Sequence, residues 1–234
     1  MFNPASSAPA PYITVIPQVR EVTLLGSADL AFWQGCLAPE GLAPSPAQGR
    51  AQLVLSAPDL RWSGIRFQEF SIAVVAGPPP DGEPAAGLYL AGAYNSSRLL
   101  AFLERALFQT PYDHRPTRVD AAFPASISVG GGAGDSFRAA MAPSARRLWS
   151  RDDGWEGTIF LPSRHRARRR WFRARLGGPT DAYPFDPAGD ALAISPPAGD
   201  SLLRLLVDSQ FTPGEWRVRT ASTHARSRTY ESAR

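Results

Sequence analysis

Short apolar stretches separated by proline and glycine turns recur along most of the chain, and few stretches have helical spacing. Runs of this length and composition are typical of β-strands. We predict strands within residues 12–25 and at residues 51–56, 64–75, 89–93, 122–129, 137–141, 157–161, 171–176, 192–195, 202–207 and 216–220. Helices are predicted at residues 27–37 and between Asn95 and Pro111. The pattern predicts a mainly β protein with a few short helices (α+β), built as an antiparallel barrel or sandwich.

The predicted strand at residues 64–75 alternates in character from one residue to the next, so its two faces differ. One face is apolar and the other is small and polar with a single carboxylate: Phe70, Ile72 and Val74 against Glu69, Ser71 and Ala73. We expect the first face to join the core. The second face has the composition expected of a cavity lining, with Glu69 inside the cavity.

Residues 89–114 combine a strand, a helix and a corner. The cluster Asn95-Ser96-Ser97 can cap a helix whose apolar stripe is Leu99, Phe102, Leu103, Ala106 and Leu107. Pro111 ends that helix, because proline has no amide hydrogen and restricts the residue before it. Tyr112, Asp113 and His114 therefore follow a helix end, and three adjacent titratable side chains at such a corner are a candidate site.

The chain has 234 residues, of which 44% are hydrophobic, so a sizeable core can form. We expect residues 1–11 to be a disordered lead-in, residues 12–220 to be one domain and residues 221–234 to be a flexible tail. No apolar run approaches the roughly 20 residues of a membrane span, and no secretion signal is evident. We therefore expect a cytoplasmic protein with no membrane partner.

All 25 basic residues are arginine. Without lysine the chain has no side-chain amine for a Schiff base, which excludes that class of covalent catalysis. Cys36 is the single cysteine and lies in an apolar helical stretch, where we expect a buried, inert thiol. The three histidines, His114, His165 and His224, lack the close spacing of a metal site, so a zinc enzyme is not expected. We also expect no cofactor.

The positive charge is concentrated in residues 163–175, which read SRHRARRRWFRAR and hold seven arginines. The net charge of +4 becomes 4 − 7 = −3 without them. Nucleic-acid binding is not expected, because the run is one short segment without a recognisable motif. It is either a solvated or subunit-facing strand paired with acids elsewhere, or a dock for a carboxylate or for the phosphate-bearing arm of a carrier.

Three local motifs together make the chain resemble the acetoacetate decarboxylase superfamily over about residues 12–210. Arg20-Glu21, followed by a helix and then by APEGL at residues 38–42, is similar to the superfamily's Arg-Glu strand, helix and Pro-Glu-x-Leu turn. Phe67-Gln68-Glu69 is similar to its aromatic-x-Glu strand. Residues 104–113, ERALFQTPYD, are similar to its helix ending in Gly-Arg-Glu followed by Phe-Pro-Lys-Lys. The resemblance implies a β-cone with an internal cavity and a homo-oligomeric assembly.

The resemblance also implies roles for individual residues. Arg20 matches the superfamily's substrate-orienting arginine, and Glu69 matches its buried acid–base carboxylate. Tyr112 and Asp113 stand where the decarboxylases have the Schiff-base lysine and the lysine that activates it. Acetoacetate decarboxylase activity by the superfamily's route is therefore excluded.

Each candidate also has a structural interpretation. Glu69 is either an acid–base group or half of a buried pair with Arg20. Tyr112 either stabilises an oxyanion or packs in the core, and Asp113 and His114 form either an acid–base pair or a solvated turn. Tyr94 and Arg105 are further candidates for substrate binding.

Two functions remain open. The first is a cofactor-free lyase, dehydratase, isomerase or cyclase that acts on a carbonyl-containing or carboxylate substrate, such as a polyketide-like intermediate of biosynthesis, free or bound to a carrier. The second is a non-catalytic protein that binds a small molecule in the same cavity. An unpaired Glu69 favours the enzyme, since a carrier of apolar ligands has no use for it.

Overall fold

The computed structural model describes residues 12–78, 86–130, 135–163 and 168–233. Its strands are β1 (Tyr12–Ala28), β2 (Ala43–Pro44), β3 (Pro46–Ala47), β4 (Arg50–Trp62), β5 (Ile65–Gly77), β6 (Gly87–Asn95), β7 (Tyr112–His114), β8 (Thr117–Asp120), β9 (Ser126–Gly130), β10 (Asp135–Ala140), β11 (Trp149–Leu161), β12 (Arg168–Pro184), β13 (Ala191–Ile194) and β14 (Thr212–Ala233). Its helices are α1 (Leu30–Leu37), α2 (Arg98–Leu103) and α3 (Ser201–Asp208), with a 3₁₀ turn at Ala38–Glu40 and a π-helical turn at Glu104–Phe108. The predicted class, mainly β with a few short helices, is confirmed.

Seven long strands form a closed ring. Their order is β5-β4-β1-β14-β12-β11-β6, and β6 pairs with β5 to complete the circle. The pairings are antiparallel except for β6 with β11, and the short β7 also joins β6 in parallel. Closure leaves no free edge among these strands and separates an inner from an outer face.

The main core lies on the outer face of the ring, under a smaller sheet of order β13-β10-β9-β8. Phe70 from β5 lies 4.7 Å from Phe137 of the smaller sheet, measured between ring centroids. Ile72 and Val74 are also fully buried in this core. The predicted division of residues 64–75 into a core face and a second face is therefore confirmed.

The inner face is lined by the residues that alternate along each strand with those of the core face. Thr23 of β1 pairs with Ser56 of β4, which in turn pairs with Ser71 of β5. Glu21 lies two residues before Thr23 and Glu69 lies two residues before Ser71, so both glutamates are on this same inner face. At one end, Leu100 and Leu103 of α2 pack against Val19, Leu60 and Phe67 of the strands. The helix thus closes that end of the ring.

Two predicted segments are wrong. Residues 202–207 belong to the helix α3, because the Asp200 side chain caps it by accepting the amide hydrogen of Leu203, and Leu203 and Leu206 bury one face. Residues 221–233 are not a flexible tail but the second half of β14, which runs between β1 and β12. The polar composition of this strand suggested solvent, whereas several of its polar side chains face other polar groups inside the ring. The predicted lead-in at residues 1–11 lies outside the described residues.

The predicted apolar stripe between Asn95 and Pro111 is also oriented differently. Leu99, Phe102 and Leu107 are 57%, 57% and 68% exposed. The buried residues of α2 are Leu100 and Ala101. A short helix that closes the ring with its Leu100 side leaves the predicted stripe on the surface.

Candidate functional site

Glu69 lies on the inner face of β5 and is held by two neutral donors. The Asn95 side-chain amide donates a hydrogen bond of 2.9 Å to Oε1, and the Tyr112 hydroxyl donates one of 3.1 Å to Oε2. Asn95 faces Glu69 directly across the β5–β6 pair. The side-chain Oδ1 of Asn95 accepts the backbone amide hydrogen of Ser97 at 2.8 Å, which fixes the side chain so that its NH₂ group points at Glu69.

Tyr112 reaches this position because of the corner that the sequence predicts. The π-helical turn ends at Gln109, which has a left-handed backbone with φ 56°. Pro111 then accepts the amide hydrogen of Ala93, and Tyr112 pairs with Ala93 on β6. Tyr112 therefore lies on the same face of the sheet as Asn95, with its hydroxyl at Glu69.

The environment of Glu69 favours its neutral form. Burial raises the pKa of Glu69 most, and the nearby Glu104 raises it further; the hydrogen bonds from Tyr112 and Asn95 and the charge of Arg226 lower it, and the result is about 8. Burial and the Glu69 and Glu104 charges raise the pKa of Tyr112 well above its ordinary value. At neutral pH the pair is thus mostly a carboxylic acid beside a phenol, and the acid can exchange its proton within the physiological range.

An ion pair completes this inner group. Arg226 of β14 binds Glu104 of the π-helical turn, with Nη1 at 3.0 Å from Oε2. The Arg226 guanidinium stacks on the Phe172 and Phe108 rings, at 4.2 Å and 4.9 Å from the ring centroids. Its Nη2 and Nε atoms are buried and have no hydrogen-bond partner among the described residues. A donor that is buried and unsatisfied in this way suits an oxygen atom of a bound carbonyl or carboxylate.

Arg20 does not belong to this group, so the alternative in which Glu69 is half of a buried pair with Arg20 is not formed. Its side chain is 44% exposed and lies 3.8 Å from Asp120, which is also exposed. Arg20 and Glu21 are adjacent on β1 and point to opposite faces, and Glu21 takes the inner one. The substrate-orienting role that the resemblance implies for Arg20 therefore has no geometric support at Glu69.

The other predicted residues gather at a different place. Tyr94, Arg105, Asp113 and His114 line a surface depression of about 360 Å³, and Glu69 and Tyr112 are not among its lining residues. Asp113 pairs with Arg105 at 2.8 Å, and within the described residues no hydrogen bond joins Asp113 to His114. Of the two interpretations of Asp113 and His114, the acid–base pair is therefore not formed.

Tyr94 has a structural role at the floor of this depression. Its hydroxyl donates to Asp200 at 2.5 Å, and its ring stacks on Phe70 in the main core. Burial and the hydrogen bond and charge of Asp200 raise the pKa of Tyr94. Arg115 pairs with the other oxygen of Asp200 at 3.0 Å. Tyr94 is thus committed to the core and is separate from the Glu69 group.

A second polar group, which the sequence analysis missed, surrounds Glu21 on the inner face. Glu21 is 2% exposed and accepts hydrogen bonds from Ser56 at 2.6 Å and Thr23 at 3.0 Å. His224 Nε2 lies 3.1 Å from its Oε2, and Arg219 Nη1 lies 3.7 Å from the same atom. Burial by itself would raise the pKa of Glu21, but the hydrogen bond and charge of His224, the charge of Arg219 and the Ser56 hydroxyl lower it to about 2.

Part of the arginine-rich run has a structural function. Arg170 is 3% exposed, and its Nη1 and Nη2 atoms both donate to the backbone oxygen of Gln109 at 3.1 Å. It thus anchors the turn that carries the corner before Tyr112. Arg168 pairs with Glu231 at 3.2 Å, as the solvated-strand interpretation expects. Residues 164–167, including His165, lie outside the described residues.

Several solved structures share this fold. An acetoacetate decarboxylase from Legionella pneumophila has a TM-score of 0.65 at 13% identity, over 100% of this chain and 92% of that one. The enduracididine biosynthesis enzyme MppR, complexed with the condensation product of pyruvate and imidazole 4-carboxaldehyde, has a TM-score of 0.58 at 13% identity, over 95% and 89%. An acetoacetate decarboxylase-like enzyme from Sphingomonas wittichii RW1 has a TM-score of 0.57 at 15% identity, over 97% and 94%.

The chain has the acetoacetate decarboxylase-like fold. This confirms the architecture that the sequence motifs implied, and identities of this size show the fold alone. No family model matches the sequence, and no curated protein matches it. In the acetoacetate decarboxylase-like ring of this chain, no three His, Cys, Asp or Glu side chains of the described residues are grouped to hold a metal ion. None of the described helices is long and apolar enough to cross a membrane.

Proposed function

We propose that this protein is an enzyme that moves protons on a carbonyl-containing small molecule without a Schiff base. The reaction is a dehydration, an isomerisation or a cyclisation, and it does not decarboxylate by an amine route because the chain contains no lysine. The observation that carries the proposal is Glu69: an interior carboxyl with a pKa of about 8, bound by Asn95 and Tyr112 and paired with no cation among the described residues.

The hydrogen bonds around Glu69 leave its proton for the substrate. Asn95 and Tyr112 both donate to the carboxyl oxygens, so neither of these bonds uses the proton of the neutral acid. With a pKa of about 8, Glu69 can give that proton to a leaving hydroxyl or a carbonyl oxygen and regain it near neutral pH. The same group, once ionised, can take a proton from a carbon next to a carbonyl.

Arg226 takes the substrate-binding role that the resemblance implied for Arg20. Its Nη1 atom is used by Glu104, and its buried Nη2 atom can donate to a substrate carboxylate or to the oxyanion of an enolate. Stacking on Phe172 and Phe108 holds the guanidinium plane in place. We infer that the substrate carries an oxygen anion or develops one during the reaction.

Dehydration of 4-hydroxy-2-oxopentanoate, a β-hydroxy ketone with a carboxylate, tests the proposal. The product is a conjugated enone, which ultraviolet absorbance detects. We expect turnover by the wild type and a loss of about 100-fold or more for Glu69→Gln, which keeps the shape but cannot transfer the proton. Glu156→Gln is the matched control, since this carboxylate is 44% exposed and pairs with Arg173 at 3.6 Å on the opposite face of the sheet.

The alternative function makes the opposite forecast. A binding protein would take up the oxo acid saturably in calorimetry, would show no turnover and would bind as well or better after Glu69→Gln. That outcome overturns the enzyme proposal, whereas equal turnover by wild type and Glu69→Gln overturns the role of Glu69 as the acid. The expected homo-oligomer, the carrier-bound substrate and the cytoplasmic location stay predictions.

A further inference from the structure

The Glu21 group contains an imidazole arranged for proton transfer. Glu21 is ionised at neutral pH, since its pKa is lowered to about 2, so its oxygens can only accept hydrogen bonds. The His224 Nε2 atom, 3.1 Å from Glu21 Oε2, must therefore carry a hydrogen. In the neutral ring the lone pair is then on Nδ1, which has no hydrogen-bond partner among the described residues. A carboxylate that fixes an imidazole tautomer in this way is a common device for activating a base.

His224 and Glu69 line the same interior. Glu21 pairs across β1–β4 with Pro58, and the register of β4 with β5 places Pro58 opposite Glu69. Glu21 and Glu69 are thus in one row on the inner face, two strand spacings apart, which is about 10 Å between backbones. His224 Nε2 lies 3.1 Å from Glu21 Oε2, so the imidazole lies on the inner face as well.

His224 is also adjacent to the substrate-binding arginine. His224, Ala225 and Arg226 pair without interruption with Leu176, Arg175 and Ala174 of β12. His224 and Arg226 are therefore two residues apart on one face of β14, about 7 Å between backbones. A molecule bound to Arg226 Nη2 would lie on the inner face that His224 and Glu69 also line.

We propose that His224, positioned by Glu21, is a second proton-transfer residue of the site, and that the substrate is a β-hydroxy ketone which loses water between His224 and Glu69. This inference rests on the proposed function and deepens it. It assigns the base and the acid to different residues. Glu21 is a positioning residue, because it acts through the imidazole.

The proposed dehydration conserves atoms and electrons. His224 Nδ1 removes a proton from the carbon between the ketone and the hydroxyl-bearing carbon, and the electron pair of that C–H bond delocalises into the ketone as an enolate bound by Arg226. The enolate then forms the carbon–carbon double bond as the C–O bond breaks, and the hydroxyl takes the Glu69 proton and leaves as water. Proton transfer from the imidazolium to the Glu69 carboxylate, through solvent, restores both groups. No oxidant or reductant is needed.

The tautomer of His224 is testable without any substrate. Histidine-selective ¹⁵N labelling and long-range ¹H–¹⁵N correlation at about pH 7.5 report which nitrogen carries the hydrogen, and His224→Asn identifies the signals among the three histidines. In the neutral imidazole we expect the hydrogen on Nε2 and the lone pair on Nδ1. In Glu21→Gln the side-chain amide can donate to Nε2, so the population should move toward the Nδ1–H form. A hydrogen on Nδ1 in the wild type overturns the inference.

Several charged side chains around His224 can influence its tautomer. They are Glu21 from β1, with Arg219 and Arg226 from β14 itself, and Asp153 from β11 acting through Arg219 at 3.3 Å. Leu176, the β12 partner, is uncharged. Arg226→Met therefore serves as a control that removes a nearby charge while the Glu21–His224 bond stays, and it should leave the tautomer unchanged.

A single probe separates the two steps. In D₂O, 4-hydroxy-2-oxopentanoate can exchange its C3 hydrogens and can lose water, and NMR follows both. We expect His224→Asn to lower exchange and dehydration together by about 100-fold or more, and Glu69→Gln to abolish dehydration while exchange continues. Glu21→Gln should lower exchange by roughly 10–100-fold, with part of the rate restored in Glu21→Asp.

Failure of the inference differs from failure of the proposed function. If Glu69→Gln loses dehydration while His224→Asn keeps both activities, the enzyme stands and the role of His224 is refuted. If the folded wild type neither exchanges nor dehydrates the probe, both proposals fall. Circular dichroism and thermal unfolding of each variant show that a lost rate is not a lost fold.

Discussion

Replacing Glu69 by glutamine should stabilise the protein, and the gain should grow with pH. The pKa of Glu69 is about 8 in the folded protein against 4.5 for the free side chain. Below about pH 4.5 the carboxyl is protonated in both states and contributes its full stability. As the pH rises further, the unfolded chain releases the proton while the folded protein retains it, so the wild type loses stability until the pH passes about 8.

The magnitude follows from the size of the shift. One pKa unit corresponds to about 1.4 kcal/mol, so a shift from 4.5 to about 8 corresponds to about 5 kcal/mol as an upper value. Glu69 is half-buried, and water screens part of the charge, so we expect about 2–4 kcal/mol above pH 8. Glutamine carries no such cost, and its amide can still bond to Asn95 and Tyr112.

Urea unfolding of wild type and Glu69→Gln at about pH 5, 7 and 9 measures the difference in the free energy of unfolding. The difference should be smallest at the lowest pH and should increase through the middle of the range. Contributions common to both proteins, such as the loss of the Glu21 interactions in acid, cancel in the difference. A difference that is constant with pH, or one that favours the wild type at alkaline pH, would refute the assigned environment of Glu69. Glu156→Gln, at an exposed carboxylate, is the matched control.

Two further substitutions probe the site and the ring. Arg226→Met should weaken binding of 4-hydroxy-2-oxopentanoate by about 10–100-fold in calorimetry, because the Nη2 donor is lost, whereas Arg228→Met on the same strand should not; equal affinities would remove Arg226 from the site. Gly87→Ala should lower the midpoint of thermal unfolding by several degrees. The added Cβ would lie 2.1 Å from the Thr158 carbonyl oxygen, where β6 approaches β11. An unchanged midpoint would mean that this junction can relax.

The local parts of the site were predictable from the sequence. Alternation in residues 64–75 placed Glu69 opposite the core face, because a strand that buries one face imposes a period of two. Pro111 predicted the corner that presents Tyr112. Both signals act over a few residues, and the acetoacetate decarboxylase-like fold keeps both.

The parts that depend on distant pairing were missed. Arg226 and His224 lie in a polar stretch that only becomes a strand between β1 and β12. The choice between Arg20 and Glu21 had a usable signal, since Arg20 shares its parity with the apolar Val22 and Leu24 of the core face. The two-residue alternation that places Glu69 on the inner face of β5 also places Glu21 on the inner face of β1.

The energetics of Glu69 favour catalysis over simple binding. Asn95 and Tyr112 would be equally satisfied by a neutral amide at this position, and the ring would then avoid the cost of an acid whose ionisation is suppressed. The interior instead holds two carboxylates in one row, one with a pKa of about 8 and one with a pKa of about 2. When local environments separate the pKa values of two carboxyl groups in this way, the group with the raised pKa suits proton donation. The group with the lowered pKa suits a fixed negative charge beside a base. A carrier of apolar ligands gains nothing from either arrangement, whereas an enzyme that removes a proton and expels water needs both.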